Sequence, residues 1–326
     1  MKVLVTGGTG FLGKALALKL RSAGHQVHTI ARRDASELRE KGIEHHRIDL
    51  SGDLDSLKNI LTGVEAIFHT AAKVGMWGKY KDFYSVNYLG TKKLLDLAKK
   101  SGSKYFIYTS SPSVIANGQS LVNVDESQPY PNHYSANYPK TKAMAERLVL
   151  SETSDSFYTC SLRPHLIWGP GDTNLIPTII ERARSGKLVQ IGRGDNKVDI
   201  TYIDDCVKAH LCALQALKDT PAARGEAYFI SQDEPVILWE WVNQVLKAND
   251  IPEIKRKLPS ALGLCIASMA EFLNKITFSK GEPVLTKFLV EEMSTDHYFD
   301  ISKAKNLLKF TPDFSVEEGM SRTFKV

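Results

Sequence analysis

Cysteine is scarce in this chain: Cys160, Cys206, Cys212 and Cys265 are the four, with no CxxC spacing and no disulfide-like density. That pattern excludes a disulfide-stapled scaffold, and buried reduced thiols in a reducing cytosol are the plain reading. No metal site is expected. Runs of one charge are also missing, because 42 lysines and arginines are scattered among 37 acids for a formal charge of +5. A nucleic-acid groove is therefore not indicated, and an anionic small molecule suits the balance better. The N-terminal strand Lys2 to Val5 breaks at glycine at once, which leaves no room for a signal-peptide core, so a cytoplasmic location is expected. No internal repeat or low-complexity tract occurs, and 43% hydrophobic with 24% charged residues describes an ordinary globular protein.

What is present is an alternation of strand-length apolar runs with longer helical patterns. Lys2 to Thr6, a helix over Leu12 to Ala23, Gln26 to Ala31 and His45 to Ile48 set a βαβ rhythm. It continues through Ala66 to Thr70, a helix around Gly90 to Ser101, Tyr105 to Ser110, a helix over Tyr138 to Leu150, and Thr159 to Leu162. This predicts an α/β fold, a Rossmann-type doubly wound parallel sheet with a smaller, mostly helical C-terminal substrate region. Residues 1–171 are assigned to the dinucleotide-binding domain, with returning segments at about 197–236, including strands Val198 to Ile203 and Glu226 to Ser231. Residues 172–196 and 237–326 are assigned to the substrate region.

The run Thr6-Gly7-Gly8-Thr9-Gly10-Phe11-Leu12-Gly13 lies between the first strand and the first helix. Missing side chains at Gly7, Gly10 and Gly13 let the turn close and a pyrophosphate approach the helix N-terminal amides, so Thr9, Gly10, Phe11 and Leu12 are also cofactor candidates. The second strand ends Ala31-Arg32-Arg33, with no acid until Asp34. A ribose diol would want an acid there, whereas a 2′-phosphate wants the paired hydrogen bonds of a guanidinium. NADP(H) is therefore favoured, with NAD(H) as the alternative. Asp49, with Leu50, follows strand three toward the adenine, and Ala71 and Ala72 end strand four beside the cofactor; ordinary turn chemistry is the competing reading for both pairs.

Tyr138 and Lys142 stand four residues apart, about one helical turn, so phenol and ammonium share a helix face. A nearby cation favours phenolate, and Lys142 is expected to lower the pKa of Tyr138 and make it a proton donor and acceptor.

TGGTGFLG, HTAAK, VNYLGT with Asn87, YTSSPS and YPKTK, in that order, resemble the extended short-chain dehydrogenase/reductase family over nearly the whole chain. The resemblance implies that Ser111 hydrogen-bonds the substrate oxygen and that Tyr138 transfers the proton. It implies further that Lys142 holds the nicotinamide ribose, that Asn87 supports a proton relay, and that Pro164 and His165 neighbour the cofactor. Ser110 and Ser113 compete with Ser111, and Tyr134 is a candidate pocket residue. Family members often pair as homodimers through the helix carrying Tyr138 and the one before it.

Within the family, Arg163 to Asp172 looks like the stretch of the 3β-hydroxysteroid and sterol-4α-carboxylate dehydrogenases. The nucleotide-sugar epimerase branch carries an arginine where this chain has Val198, and Lys197 should point to the opposite side, so a diphosphate substrate is disfavoured. AAKVGMWGKY, RPHLIWGPGD, NKVDITYIDD and STDHYFDISKAKNLL resemble bacterial reductases of 2-alkyl-3-oxoalkanoic acids in olefin biosynthesis. That implies NADPH-dependent reduction of a lipid-like substrate, with steroid oxidation, sugar-nucleotide epimerisation and a non-catalytic redox sensor as alternatives.

The nearly uncharged stretch Leu258 to Ile276 falls short of the ~20 strongly apolar residues that span a bilayer. A helix covering the substrate pocket is the favoured reading, ahead of a core helix and peripheral membrane contact. The loop Val74 to Gly78 is expected to add a second greasy wall.

Overall fold

The computed structural model describes residues 1–277 and 283–324; residues 278–282 and 325–326 of the expected substrate region lie outside them. Seven parallel strands form the central sheet. They are ordered Glu226–Ile230, Tyr158–Pro164, β5 (Tyr105–Thr109), β4 (Ala66–His69), β1 (Lys2–Thr6), β2 (Gln26–Ala31) and β3 (Glu44–Arg47). Side chains along each strand alternate between two helical layers. Leu4, Ile67 and Phe106 pack with Leu57, Leu94 and Val149 on one face. Val3, Val5, Phe68 and Ile107 pack with Leu16, Leu20 and Cys206 on the other, where α1 (Phe11–Ser22) lies against the helix Ile203–Asp219.

Two expectations change in the C-terminal half. The single strand anticipated over Val198 to Ile203 is two short ones, Lys197–Val198 and Thr201–Tyr202, and Ile203 already starts a helix. The halves find different partners: Val198 pairs with His297, while Thr201 and Tyr202 pair with Ile167 and Trp168. Between them the Asp199 carboxylate accepts the Phe299 amide at 2.9 Å. Lys197 is exposed and Val198 fully buried, as alternation requires.

The apolar stretch forms the helix Ser260–Ile276, which packs on the helix Lys287–Ser294 and does not line the cleft described below. The expected pocket wall is thus a second layer, and Leu262, Met269, Phe272, Leu273 and Ile276 are more than half exposed. Of the cysteines, Cys160 and Cys206 are buried, Cys212 is half-buried and Cys265 is exposed; all four are free thiols.

The helix Asn137–Ser151 is tied to the sheet by a buried ion pair. Glu146 Oε1 accepts Arg163 Nη2 at 2.7 Å and Tyr130 Oη at 2.7 Å, and Oε2 accepts Ser161 Oγ at 2.7 Å. Arg163 charge and these hydrogen bonds overcome the desolvation cost and hold the Glu146 pKa below the usual carboxylate value. Glu146→Leu would leave the guanidinium buried without its anion, and a loss of about 3–5 kcal/mol is expected in urea unfolding. A loss below about 1 kcal/mol would show the pair to be dispensable for stability.

Candidate active site

At the carboxyl ends of the strands, where the strand order reverses between β1 and β4, a cleft of ≈ 1090 Å³ opens. Its floor begins with the glycine run. Gly7 has φ +72°, and a Cβ there would sit 3.0 Å from Ala71 Cα; a Cβ on Gly13 would meet the Gly7 carbonyl oxygen at 2.2 Å. Both positions demand glycine on steric grounds. Gly10 caps α1 with no side-chain hydrogen bond, and no acid occupies the first turn. The helix therefore presents unpaired amides to the cleft, a fit for an anionic pyrophosphate.

Thr9, Phe11, Leu12, Arg32, Arg33, Asp49, Leu50, Ala71, Ala72, Pro164 and His165 line the same cleft, as do Ser111, Tyr138 and Lys142. Arg33 donates to the Thr9 carbonyl at 3.2 Å, which draws it over the glycine loop. Asp34 is turned aside: both its oxygens accept from Arg39, at 2.8 and 2.7 Å. The nearest acid after β2 is thus occupied, and the rim there is cationic. Asp49 lines the cleft and also makes a local turn, in which Oδ1 accepts the Ser51 amide at 2.9 Å and hydroxyl at 2.8 Å.

The catalytic candidates converge from three elements. Ser111 caps the short 3₁₀ turn Pro112–Ile115 after β5, and its hydroxyl lies 2.9 Å from that of Ser113. Tyr138 and Lys142 come from the first two turns of the Asn137–Ser151 helix, where Pro139 sits in the first turn and its missing N–H costs nothing. Asn87 does not line the cleft. It lies one layer behind in a π-helical segment, Tyr84–Gly90, with Nδ2 donating to the Lys73 carbonyl at 3.0 Å and to Thr141 Oγ1 at 3.1 Å. Behind it runs a buried chain: the Thr91 hydroxyl donates to the Asn87 carbonyl at 2.6 Å and meets His69 Nε2 at 2.8 Å, and His69 Nδ1 meets Thr6 Oγ1 at 2.7 Å.

Electrostatics correct one expectation. Tyr138 is not acidified by Lys142; desolvation pushes its pKa up to about 12, partly offset by a hydrogen bond from Ser111, and the Glu292 charge adds to the rise. Lys142 instead donates to the Thr109 carbonyl at 2.5 Å and lies over the Tyr108 ring, 4.1 Å from its centroid. Burial lowers its pKa to about 7, with Glu146, one turn on, opposing the drop. Tyr134 is not in the wall either, because its hydroxyl is spent on the Val114 carbonyl at 2.9 Å.

Several wall residues carried no readable signal in the sequence. Leu238, Trp241 and Val242 from the helix Leu238–Lys247, and Phe288, Leu289 and Met293 from Lys287–Ser294, supply the apolar side. Val74, Gly75 and Met76 of the expected loop join them. His165 Nε2 lies 2.6 Å from His297 Nδ1, and His297 Nε2 lies 2.6 Å from the Glu292 carbonyl. His165, Glu292 and His297 could hold a metal ion, as could His28, Glu44 and His46 at the edge of the sheet.

The chain is similar to known proteins in sequence and in fold. The profile of the 3-beta hydroxysteroid dehydrogenase/isomerase family matches residues 4–260. The chain belongs to that family. It is 41% identical over 325 residues to a 2-alkyl-3-oxoalkanoate reductase of Stenotrophomonas maltophilia, covering 99% of this chain and 98% of the relative. It is 36% identical to the decarboxylating sterol-4-alpha-carboxylate 3-dehydrogenase of Saccharomyces cerevisiae, covering 98% and 96%. Among solved structures, gox2253 superposes with a TM-score of 0.79 at 26% identity, over 99% of this chain and 96% of that one. UDP-glucuronic acid 4-epimerase of Bacillus cereus, at 0.75 and 23% over 100% and 98%, shares the fold. The protein is an NAD(P)-dependent oxidoreductase acting on CH–OH groups.

With burial lowering the Lys142 pKa to about 7, kcat/KM is expected to fall as pH rises through that value if turnover uses the Lys142 ammonium. A pH–rate profile with no decline between about pH 6 and 9 would refute this role for the Lys142 charge.

Proposed function

We propose that this protein is an NADPH-dependent reductase that converts the 3-keto group of a long-chain 2-alkyl-3-oxoalkanoic acid into the 3-hydroxy acid. The observation that carries the reading is one cleft lined by Ser111, Tyr138 and Lys142 together with apolar Leu238, Trp241, Val242, Phe288 and Leu289, and by Arg32 and Arg33 beside the glycine loop. The named relatives act on 2-alkyl-3-oxoalkanoates and on sterol carboxylates, both β-oxygenated acids with large apolar bodies.

The glycine loop and α1 amides would hold the pyrophosphate, Arg32 and Arg33 a 2′-phosphate, and Lys142 the nicotinamide ribose. When bound, the cofactor supplies hydride to the carbonyl carbon. As negative charge develops on the oxygen, the Ser111 hydroxyl donates a hydrogen bond and Tyr138 transfers its proton. A phenol with its pKa pushed up to about 12 remains protonated until that alkoxide forms, which suits it to the acid role in reduction. Lys142 and the Asn87 network hold the helix face and stand ready to return a proton to Tyr138. The apolar wall keeps water away from the reacting carbon.

Arg32 and Arg33 are exposed and Asp34 is paired with Arg39, which favours NADPH over NADH. Val198 is fully buried, which gives no diphosphate clamp. Purified protein given a long-chain 2-alkyl-3-oxo acid is expected to oxidise NADPH at least ~10-fold more efficiently than NADH, and Arg32→Ala/Arg33→Ala to narrow that ratio. The same assay with a 3-oxosteroid and a UDP-sugar separates the alternatives. No turnover of the oxo acid with either cofactor would end this reading.

A peripheral contact with anionic lipid is part of the proposal. The exposed apolar face of the helix Ser260–Ile276 follows the exposed basic triplet Lys255, Arg256 and Lys257, the pairing of features an interfacial helix uses. Among the described residues no helix is long and apolar enough to cross a membrane. Co-sedimentation with phosphatidylglycerol vesicles is expected, weakened by Met269→Ser/Phe272→Ser and by salt. Equal recovery in the supernatant with and without vesicles would exclude the contact.

A further inference from the structure

The proposed substrate carries a carboxylate two bonds from the carbon that is reduced, so a cation that recognises it must stand beside the catalytic groups and not along the apolar wall. Among the described residues, five lysines and arginines line the cleft: Arg32, Arg33, Lys73, Lys142 and Arg182. Arg32 and Arg33 lie at the glycine-loop end, and Lys142 is bound to the Thr109 carbonyl. Arg182 belongs to the last turn of the helix Leu175–Arg184, among the apolar lining.

Lys73 differs from all of these. It directly follows Ala71 and Ala72 at the carboxyl end of β4, the strand beside β5, and lines the cleft together with Ser111 and Tyr138. Its backbone is held at both polar atoms by one side chain: Lys73 N donates to Asn87 Oδ1 at 2.7 Å, and Asn87 Nδ2 donates to the Lys73 carbonyl at 3.0 Å. The same Asn87 amide reaches Thr141, the residue before Lys142, at 3.1 Å. The placement of Lys73 is thereby fixed relative to the catalytic helix through two hydrogen-bonding groups. Its side chain is half-buried, with Nζ 5.3 Å from the centroid of the buried Phe83 ring, and no carboxylate among the described residues forms an ion pair with it. A half-buried ammonium beside an aromatic face gains from a ligand carboxylate more than a solvated surface lysine does.

We propose that Lys73 is the specificity-determining cation that binds the carboxylate of the 3-oxo acid and sets the 3-keto carbon against Ser111 and Tyr138. The inference rests on the reading of the substrate as a β-oxygenated acid. It gives the Asn87 side chain a second task, since the group that supports the catalytic helix also positions the anion anchor. Neutral ketones and esters would lack that anchor and would sit loosely in the same apolar pocket.

β-Keto acids lose carbon dioxide readily, so the test runs in the oxidative direction. The full chain is assayed with NADP⁺ and a long-chain 2-alkyl-3-hydroxy acid against its methyl ester, in wild type, Lys73→Met, Lys73→Arg and Arg182→Met. Lys73→Met is expected to cut the kcat/KM preference for acid over ester at least roughly tenfold, mainly through KM for the acid, while Lys73→Arg keeps most of it. Arg182→Met should leave the preference standing. NADP⁺ binding by fluorescence confirms that each variant is folded. An unchanged preference in Lys73→Met, or its loss in Arg182→Met alone, would overturn the assignment. If wild type oxidises neither compound, the substrate reading itself fails; if it oxidises both and Lys73→Met behaves like wild type, only this inference does.

Discussion

A parallel sheet imposes the constraint on which everything else in this molecule depends. Each strand must return over a face of the sheet, so the crossovers cover β1 and β4 on both sides, but the order reverses between them and no crossover fills the gap at their carboxyl ends. The glycine loop after β1, the Thr70 to Lys73 turn after β4 and Ser111 after β5 all empty into that one crevice. The cofactor candidates and the catalytic candidates are neighbours because these strand ends open into the same crevice.

Behind the crevice a polar frame replaces what would otherwise be oil. Thr6, His69, Thr91, Asn87 and Thr141 hand hydrogen bonds from the first strand to the catalytic helix, all of them buried or nearly so. Burial drives the His69 pKa down to about 3, with Lys142 adding to the fall, so the ring stays neutral and adds no charge beside Lys142. On the far side of the same helix, Glu146 and Arg163 anchor it to the sheet. Hydrogen bonds on one side and the ion pair on the other tie the helix that carries Tyr138 and Lys142 to the sheet.

The apolar side of the cleft is built differently, from short strands and helices that meet late in the chain. Val236–Ile237, Lys197–Val198, His297–Phe299 and Leu121–Val124 make a small sheet that carries the C-terminal helices to the cleft. Two of those helices give the cleft its apolar lining, while the helix Ser260–Ile276 lies outside them with its greasy face exposed. One structural unit thus has an oily interior facing the reaction and an oily exterior facing away from it.

The sequence by itself determined the sheet, the glycine loop, and the shared helix face of Tyr138 and Lys142, because each is written in local spacing: period two, period 3.6, and glycine where no Cβ fits. Family resemblance pointed to Ser111 and Asn87, and both lie around the same crevice, Ser111 in its wall and Asn87 one layer behind. Only the tertiary structure decided what surrounds them. Lys142 was expected to acidify Tyr138, yet desolvation dominates both groups, and desolvation is a sum over neighbours distant in sequence. The apolar run at Leu258 was legible as apolar but not as outward-facing, since hydrophobicity does not say which partner covers it. His297 reached His165 across 132 positions, and Asn87 came to grip Lys73 through a π-helical turn that no local pattern announced. Local spacing fixes what a segment can be; only packing in three dimensions decides which charges share a dielectric and which surfaces stay open.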